Sequence, residues 1–409
     1  MKKNFYKLLF LAGALLCGFC NSKATHLVGG EISYRCIGGN QYEVTLTIFR
    51  DDYYGQAQLD DPAMVTVFNA TTYTKVNLGA SVENPIKFNL SGSAILPTNT
   101  NACISNPPRD VRIQKGVYIK TLTLPPSTTG YILVYQRCCR NNAVLNILSD
   151  QGSTYQITIP PNITCNSSPV FNNQPPLFLC NNSKLDFDMS ATDANGDQLR
   201  YSLCAPLQGL DSDNPTICQT GQPGCAYYQA TSPTYDSVEY RGLYTSQKPL
   251  GANSTLYINP TSGMLTAIPR TLGLFVVGIC VEEIRGGVVI NRSIRDFQFN
   301  VENCTIPSAA PLVVTDNTNA SAIKVNDTTF SNCQGAVVRF DNEVTQSGVT
   351  YFWDFGVPNR TDDNSNLKNP TFAYPDTGVY YATLIINKVR PCNDTNRKST
   401  RLTPVRRVL

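Results

Sequence analysis

Three oxygen-bearing side chains alternate along the segment DANGD. Asp193, Asn195 and Asp197 stand two residues apart in a predicted turn, and carboxylate and amide oxygens in this arrangement suit a hard cation such as calcium. Glu282 and its neighbour Glu283, on a later predicted strand, offer further carboxylates, and we take Glu282 as the fourth ligand. The alternative is a turn in which the side chains accept hydrogen bonds from the backbone instead.

The chain contains a single histidine, His26. This excludes histidine-dependent catalytic triads and metal sites that need several imidazoles. A pair of carboxylates could still hydrolyse a glycosidic bond, but no motif for such a pair is visible among the scattered acids. Examples of these acids are Asp51, Asp52, Asp60 and Asp61. We therefore predict that the protein is not an enzyme.

A stretch rich in Pro, Gly, Ser and Gln, residues 205–254, also carries several tyrosines. Exposed tyrosines give a large contact area at a low entropic cost, so Tyr227, Tyr228 and Tyr235 are candidates for binding glycans or proteins. The alternative is that these tyrosines pack the insertion onto its own sheet.

Residues 1–24 combine a lysine-rich start, an apolar run at 8–19 and small residues at Ser22 and Ala24. This order is typical of a secretory signal peptide that is cleaved after Ala24. The apolar run is short for a membrane span, and no later segment is apolar enough to cross a bilayer. We expect an exported protein, extracellular or on the outer cell surface, with no transmembrane span in the mature chain.

Export determines how the 15 cysteines are read. Cys17 and Cys20 leave with the signal peptide, and in an oxidising compartment the remaining thirteen are expected to form mostly disulfides. Cys218 and Cys225 can close a small loop within the insertion. The spacing leaves open the pairing of Cys36, Cys103, Cys138 and Cys139.

The charges of the chain nearly cancel, with 33 basic and 30 acidic residues. Residues 1–24 account for four lysines and no acid, so the mature chain has no general attraction for nucleic acid or for an anionic membrane. A local cluster of basic residues lies at 388–409, and we interpret this segment as an exposed domain edge or linker.

Alternating polar and apolar residues predict β-strands almost throughout. In YEVTLTIF, the side chains of Tyr42, Val44, Leu46 and Ile48 fall on one face of a strand. Short β-branched and aromatic runs separated by Pro, Gly, Asn and Ser are typical of β-sandwiches. The predicted fold class is all-β, with tandem immunoglobulin-like β-sandwich modules.

Two Pro-rich and Asn-rich stretches divide the mature chain. They separate a disulfide-bonded β-rich module at 25–160, a sandwich at 161–305 that contains the insertion, and a third module with a basic tail at 306–409.

The third module resembles a PKD domain, an immunoglobulin-like sandwich found in bacterial surface proteins. The resemblance rests on WDFG at 353–356 and NPTFAYPDTGVYYATLII at 369–386. It implies that Trp353, the only tryptophan, is a core residue and that Asp354 bonds to the backbone. In that fold, Cys333 and Cys392 would bridge the two sheets or their ends.

The second module resembles cadherin-like immunoglobulin modules, on the strength of SATDANGDQLRYSL at 190–203 and the segment 256–283. The opening segment 25–55 and YQRCCRNN at 135–142 look like the start of very large secreted proteins from gliding, Gram-negative bacteria. Such proteins carry O-linked glycans at Asp-Ser/Thr sites, which makes Ser237 and Thr328 candidates.

These resemblances imply a non-catalytic secreted or cell-surface protein for adhesion, spacing or ligand presentation, with cell-surface glycans or proteins as partners. The large relatives end in a C-terminal sorting domain that residues 388–409 do not resemble, so further modules of the same polypeptide or another export route are expected. The alternative function is a carbohydrate- or protein-binding accessory part of a secreted hydrolase system.

Overall fold

The structure is a computed structural model of the 409-residue chain. It describes residues 27–55, 58–79, 82–97, 108–163, 165–210, 230–304, 312–316, 323–326, 329–331, 337–342, 350–376, 378–386 and 399–402. The predicted signal peptide lies outside these ranges, as do Tyr227, Tyr228, Cys103, Cys218, Cys225, Cys333, Cys392 and Thr328.

The described residues form strands and turns and contain no helix, which confirms the all-β fold class. Within the same residues there is thus no helix with the length and apolar character that a membrane crossing requires. The strands are β1 (Leu27–Gly38), β2 (Gln41–Asp51), β3 (Ala63–Asn69), β4 (Ile86–Phe88), β5 (Leu90–Ile95), β6 (Ile113–Thr123), β7 (Tyr131–Arg137), β8 (Ser153–Ile159), β9 (Val170–Phe171), β10 (Phe178–Cys180), β11 (Leu185–Asp188), β12 (Ala191–Thr192), β13 (Gln198–Cys204), β14 (Thr255–Ile258), β15 (Met264–Ile268), β16 (Gly273–Arg285), β17 (Val288–Glu302), β18 (Leu312–Asp316), β19 (Ile323–Asn326), β20 (Thr329–Ser331), β21 (Val337–Asn342), β22 (Tyr351–Asp354), β23 (Asn364–Ser365), β24 (Thr371–Ala373), β25 (Tyr380–Ile386) and β26 (Ser399–Leu402).

The largest sheet has eight strands, in the order β13-β16-β17-β1-β2-β6-β5, with β10 also paired to β17. Its central pairing is antiparallel and places Gly29 of β1 opposite Phe297 of β17. A Cβ atom at Gly29 would lie 2.1 Å from the carbonyl oxygen of Asp296, so this close approach requires glycine. The predicted boundary near residue 160 therefore does not separate two independent sandwiches, because strands from both sides of it share one sheet.

A first hydrophobic core lies between β1, β2 and β6 on one side and a four-stranded sheet on the other. That second sheet has the order β4-β3-β7-β8. Tyr42, Val44, Leu46 and Ile48 all point into this core and are buried, as the alternation in β2 predicts. Phe49 points to the opposite face and is also fully buried, so the large sheet is covered on both faces at this point.

A second core lies between β13, β16 and β17 and a three-stranded sheet with the order β11-β15-β14. Phe275, Val277, Ile279 and Val281 of β16 all contribute to it. Because β1 and β17 pair directly, the first and second cores lie along one continuous sheet.

The insertion packs onto the first core region. Ala230 and Tyr235 contact Phe68, Ile132 and Val134 on the outer face of β3 and β7. This contact explains why every residue of β7 is buried, although an exposed outer face would leave alternate residues in solvent.

The third segment has its own core between the sheets β18-β21-β24 and β19-β20-β26-β25-β22-β23. Trp353 is fully buried there, and its Nε1 donates a hydrogen bond of 2.9 Å to the carbonyl oxygen of Leu367. Asp354 Oδ1 accepts a hydrogen bond of 2.9 Å from the backbone N–H of Gly356. Both predicted roles, core packing for Trp353 and backbone bonding for Asp354, are confirmed.

Three of the four disulfides among the described cysteines join segments that are far apart in sequence. Four pairs are formed among the described cysteines: Cys36–Cys165, Cys138–Cys139, Cys180–Cys304 and Cys204–Cys280. The first closes a sequence separation of 129 residues and the third closes one of 124 residues. Each of these two bonds therefore ties together the ends of a long stretch of chain.

Candidate metal centre

The turn between β12 and β13 forms for local reasons. Asp193 Oδ1 accepts hydrogen bonds of 2.9 Å from the backbone N–H groups of both Asn195 and Asp197. Gly196 has a φ of 80°, a left-handed conformation that favours glycine. For this one carboxylate oxygen, the alternative of backbone capping is therefore correct.

The side chain of Asn195 holds the segment that follows β8. Its Oδ1 accepts a hydrogen bond of 2.8 Å from the backbone N–H of Ser167, and its Nδ2 donates one of 3.3 Å to the carbonyl oxygen of Cys165. A ligand role for Asn195 would have to use the same amide oxygen and stays a prediction.

That segment is in turn held against β1. The backbone N–H of Ser168 donates a hydrogen bond of 2.9 Å to the carbonyl oxygen of Tyr34. The Oγ of Ser168 accepts a hydrogen bond from the backbone N–H of Tyr34. Together with the Cys36–Cys165 disulfide, these contacts connect the turn to β1.

The prediction that Glu282 faces the turn is wrong, and its neighbour Glu283 lies at the turn instead. The side chain of Glu282 accepts hydrogen bonds from Arg200 on the neighbouring strand β13, 2.8 Å from Arg200 Nε. Glu283 faces the other way and is fully buried. Because side chains alternate between the two faces of a strand, only one of two adjacent glutamates can reach the turn.

Asp193, Asp197 and Glu283 form an acidic cluster in which one oxygen of each carboxylate lies within 4.8 Å of the others. Two oxygens of the cluster, Asp193 Oδ2 and Glu283 Oε2, are buried and find no hydrogen-bond partner among the described residues. The other oxygen of Glu283 accepts a hydrogen bond of 2.7 Å from Asn166 Nδ2. A buried polar atom without a partner costs free energy, so the two oxygens are open to a proton or a cation.

Arg285 balances part of the negative charge. Its Nε donates a hydrogen bond of 2.7 Å to Asp197 Oδ1, and its Nη2 contacts Asp197 Oδ2 and Asn166 Oδ1. The guanidinium lies 3.9 Å from Glu283 Oε1, beyond hydrogen-bond distance. Three carboxylates with one guanidinium leave an excess of negative charge when all of them are ionised.

The two sides of the cluster have opposite pKa shifts. The hydrogen bonds from Arg285 lower the pKa of Asp197. Burial is the main cause that raises the pKa of Glu283 to about 7; the neighbouring Asp197 and Asp193 contribute to this increase, and the hydrogen bond from Asn166 acts in the opposite direction. Glu283 is therefore the carboxyl group of the cluster that most readily takes up a proton near neutral pH.

A small hard cation in this cluster would take one carboxylate oxygen from each of Asp193, Asp197 and Glu283, and its charge would compensate the two buried oxygens. Both oxygens of Asp197 already accept hydrogen bonds from Arg285, so the cation would compete with this guanidinium. Calcium takes six to eight oxygen ligands, so water or backbone oxygens would fill the remaining positions.

The other predicted site residues lie elsewhere. The hydroxyl of Tyr235 donates a hydrogen bond to the carbonyl oxygen of Thr231, and burial raises its pKa, which favours packing over ligand binding for this tyrosine. Ser237 is exposed and forms an isolated bridge with Leu207.

Sequence reasoning missed Arg285 and Asn166, which lie beyond the quoted motifs. For Glu283 a signal was present. Counting in steps of two from Phe275 through Val281 leads to Glu283, so the alternation of β16 already places this glutamate on the core-facing side.

Comparison with known proteins gives little further guidance. No protein-family model matches the chain, and no curated protein matches it. Among solved structures, it is similar at 10% sequence identity to "Crystal structure of the S-layer protein rSbsC(31-844)", with a TM-score of 0.14. The alignment covers 93% of this chain and 54% of that chain, so the protein spans about half the length of that structure. A likeness at this level carries no argument about fold or function.

Proposed function

We propose that the protein is an exported, non-catalytic surface protein whose β-rich body is a stiff support for adhesion, spacing or ligand presentation. The observation that carries this proposal is the single sheet that runs from β13 to β5 and unites strands from both sides of residue 160. A continuous hydrogen-bonded sheet has no flexible linker at this point, so loops at its ends are held at a constant distance from each other.

Two ion pairs reinforce the junction between β17 and the N-terminal segments. Arg295 is fully buried and donates hydrogen bonds of 2.7 Å and 2.8 Å to the carboxylate of Glu31 on β1. The guanidinium of Arg140 contacts both carboxylate oxygens of Asp296, and both of these side chains are buried. Separating either pair would leave a charge in a poorly solvated site, which opposes bending at this junction.

The disulfides support an extracellular location. Bonds such as Cys36–Cys165 and Cys180–Cys304 persist in oxidising compartments and are rare in the cytosol. They also limit the opening of long stretches of chain, a property that suits a protein exposed to proteases and mechanical load.

Calcium is the proposed cofactor, held by Asp193, Asp197 and Glu283. Asn166 links this cluster to β1, because its Nδ2 contacts both Glu283 Oε1 and the hydroxyl of Tyr34. A cation in the cluster would therefore stiffen the connection between the turn, β16 and β1.

The test uses the full chain in two measurements. The first is surface labelling of intact producing cells, for which the proposal expects the protein to be accessible outside the cell. The second is incubation of the purified protein with immobilised glycans and proteins and with a panel of polysaccharide and protein substrates. Binding without turnover supports the proposal, whereas turnover of any substrate, or a protein protected inside the cell, would replace it.

A further inference from the structure

Two consecutive tyrosines are exposed at the end of β2. Tyr53 and Tyr54 are 54% and 53% exposed, and their rings pack edge to face with centroids 4.8 Å apart. Large aromatic side chains that are exposed side by side often mark a surface that binds a ligand or another protein.

The backbone under these rings is held by buried polar groups. Asp51 Oδ1 accepts hydrogen bonds of 2.9 Å and 3.0 Å from the backbone N–H groups of Tyr53 and Tyr54. The buried guanidinium of Arg50 donates hydrogen bonds to the carboxylate of Asp52 and to the carbonyl oxygen of Gly55. These two bonds connect the beginning and the end of the loop. The backbone beneath the aromatic pair is thus held by hydrogen bonds, which lowers the conformational entropy that binding would cost.

Polar groups from the start of β6 flank the rings. The hydroxyl of Tyr54 donates a hydrogen bond of 3.1 Å to Asp110 Oδ2. Arg112 Nε lies 2.9 Å from Asp52 Oδ2, and more than half of the Arg112 side chain remains exposed. The Tyr54 hydroxyl, the Asp110 carboxylate and the partly exposed Arg112 guanidinium therefore provide polar groups at this loop.

This set of groups matches the chemistry of a sugar ring. The C–H face of a hexopyranose packs on an aromatic ring, and its hydroxyls accept hydrogen bonds from a guanidinium and donate hydrogen bonds to a carboxylate. The two chain segments at the loop carry three arginines and three aspartates, so no net charge selects an acidic glycan. These residues are Arg50, Arg109, Arg112, Asp51, Asp52 and Asp110.

We propose that the Tyr53–Tyr54 loop is a binding site for neutral hexose glycans. This proposal rests on the proposed function: it names the class of ligand that such a surface protein would bind with this loop. A protein partner fits less well, because a stable protein interface buries about 800 Å² on each side, and two rings with three polar groups form a smaller patch.

The experiment uses the full-length secreted chain on an array of neutral hexose oligosaccharides, with sialylated and sulfated glycans on the same array. The proposal expects binding to a neutral glycan. The double variant Tyr53→Ala/Tyr54→Ala should weaken this binding roughly tenfold or more, because it removes the stacking surface. Tyr54→Phe, which keeps the ring and loses the contact with Asp110, should weaken it by a smaller factor.

Tyr257→Ala is the matched control, since Tyr257 is also 54% exposed but lies on β14. It should bind as tightly as the unmodified protein. All variants alter exposed side chains, so an unchanged melting temperature verifies that they fold. Saturation-transfer NMR with the bound oligosaccharide should show contacts of the sugar C–H protons with aromatic protons, and these contacts should disappear in the double variant.

The absence of binding to any neutral glycan, binding to acidic glycans alone, or equal binding by the double variant would each overturn this proposal. A protein that lies on the cell surface and binds no neutral glycan would overturn the glycan site and leave the proposed function standing.

Discussion

The guanidinium of Arg140 contacts both carboxylate oxygens of Asp296, a residue 156 positions away in the sequence, and each side chain is 2% exposed. Arg140 also donates hydrogen bonds to the carbonyl oxygens of Gly152 and Leu207. One buried guanidinium therefore joins β17, the start of β8 and the insertion. This contact shows at the level of single atoms why the first two segments form one body.

Replacing one partner of this pair should be costly. We expect Arg140→Met to lower the free energy of unfolding by about 3–5 kcal/mol, because it leaves the Asp296 carboxylate buried without its counter-charge. Arg140→Met/Asp296→Leu should recover much of that loss. Urea unfolding followed by circular dichroism measures both changes.

The matched control is Arg35→Met, which removes an exposed ion pair with Glu43. It should change the free energy of unfolding by no more than about 1 kcal/mol. An Arg140→Met variant as stable as this control would contradict the stabilising role of the buried pair.

Calcium should raise the melting temperature of the protein, because a cation that binds only the folded state stabilises that state by mass action. We expect Asp193→Asn and Glu283→Gln to reduce this increase strongly. Each substitution replaces a charged carboxylate of the cluster, one oxygen of which has no hydrogen-bond partner among the described residues, with a neutral amide. Glu282→Gln should leave the increase unchanged, because Glu282 is bound to Arg200 on the opposite face of the strand.

Thermal unfolding in EDTA and in calcium, together with calorimetric titration, distinguishes the outcomes. Equal calcium responses in the Glu283→Gln and Glu282→Gln variants would show that the cluster is not the site. A wild-type protein that gains no stability and releases no heat would exclude calcium altogether.

Without a metal, the stability of the protein should depend on pH through Glu283. A free glutamate titrates near 4.5, whereas burial raises the pKa of Glu283 in the fold to about 7. Between these values the folded state holds a proton that the unfolded chain has released. The free energy of unfolding should therefore fall as the pH rises from about 4.5 to about 7, by at most about 3 kcal/mol, and then level off.

Urea unfolding at a series of pH values in EDTA measures this slope. Glu283→Gln should flatten it, because the amide does not titrate, and Glu282→Gln should retain it. If Glu283→Gln has the same pH dependence as the unmodified protein, another group is responsible for the slope.

Trp353 should report on the third segment alone. Its indole is fully buried beside Phe340, with ring centroids 5.2 Å apart, so the folded protein should emit at short wavelength. Trp353→Ala should lower the stability of this segment by about 3–5 kcal/mol, because it opens a large cavity in the core. Differential scanning calorimetry measures this change, since the variant has no tryptophan whose fluorescence could be followed. The exposed Tyr381 provides the control, and Tyr381→Ala should have little effect on the unfolding curve of the same segment.

Local patterns in the sequence were sufficient for the fold class and for much of the cores. The alternation of Tyr42, Val44, Leu46 and Ile48 predicted a strand with one buried face, and the structure has this strand. The resemblance carried by the segment around Trp353 implied a core position for this residue, and Trp353 is buried. The strand prediction succeeds because the two-residue period of a strand is a property of the chain itself.

The candidate metal centre was only partly predictable. Asp193 and Asp197 lie in one turn, so their proximity follows from their spacing. Glu283, Asn166 and Arg285 come from distant segments, and the choice between two adjacent glutamates depended on which face of β16 meets the turn.

The sequence by itself determined an all-β chain with a buried tryptophan and an acidic turn. Only the tertiary structure decided that β1 pairs with β17 and that the insertion covers β7. The pairing of Gly29 with Phe297 uses backbone hydrogen bonds, which are the same for nearly every residue type, so neither segment carries a local mark of its distant partner. The contact forms because the complete arrangement buries apolar faces on both sides of the sheet, and this gain belongs to no single stretch of sequence.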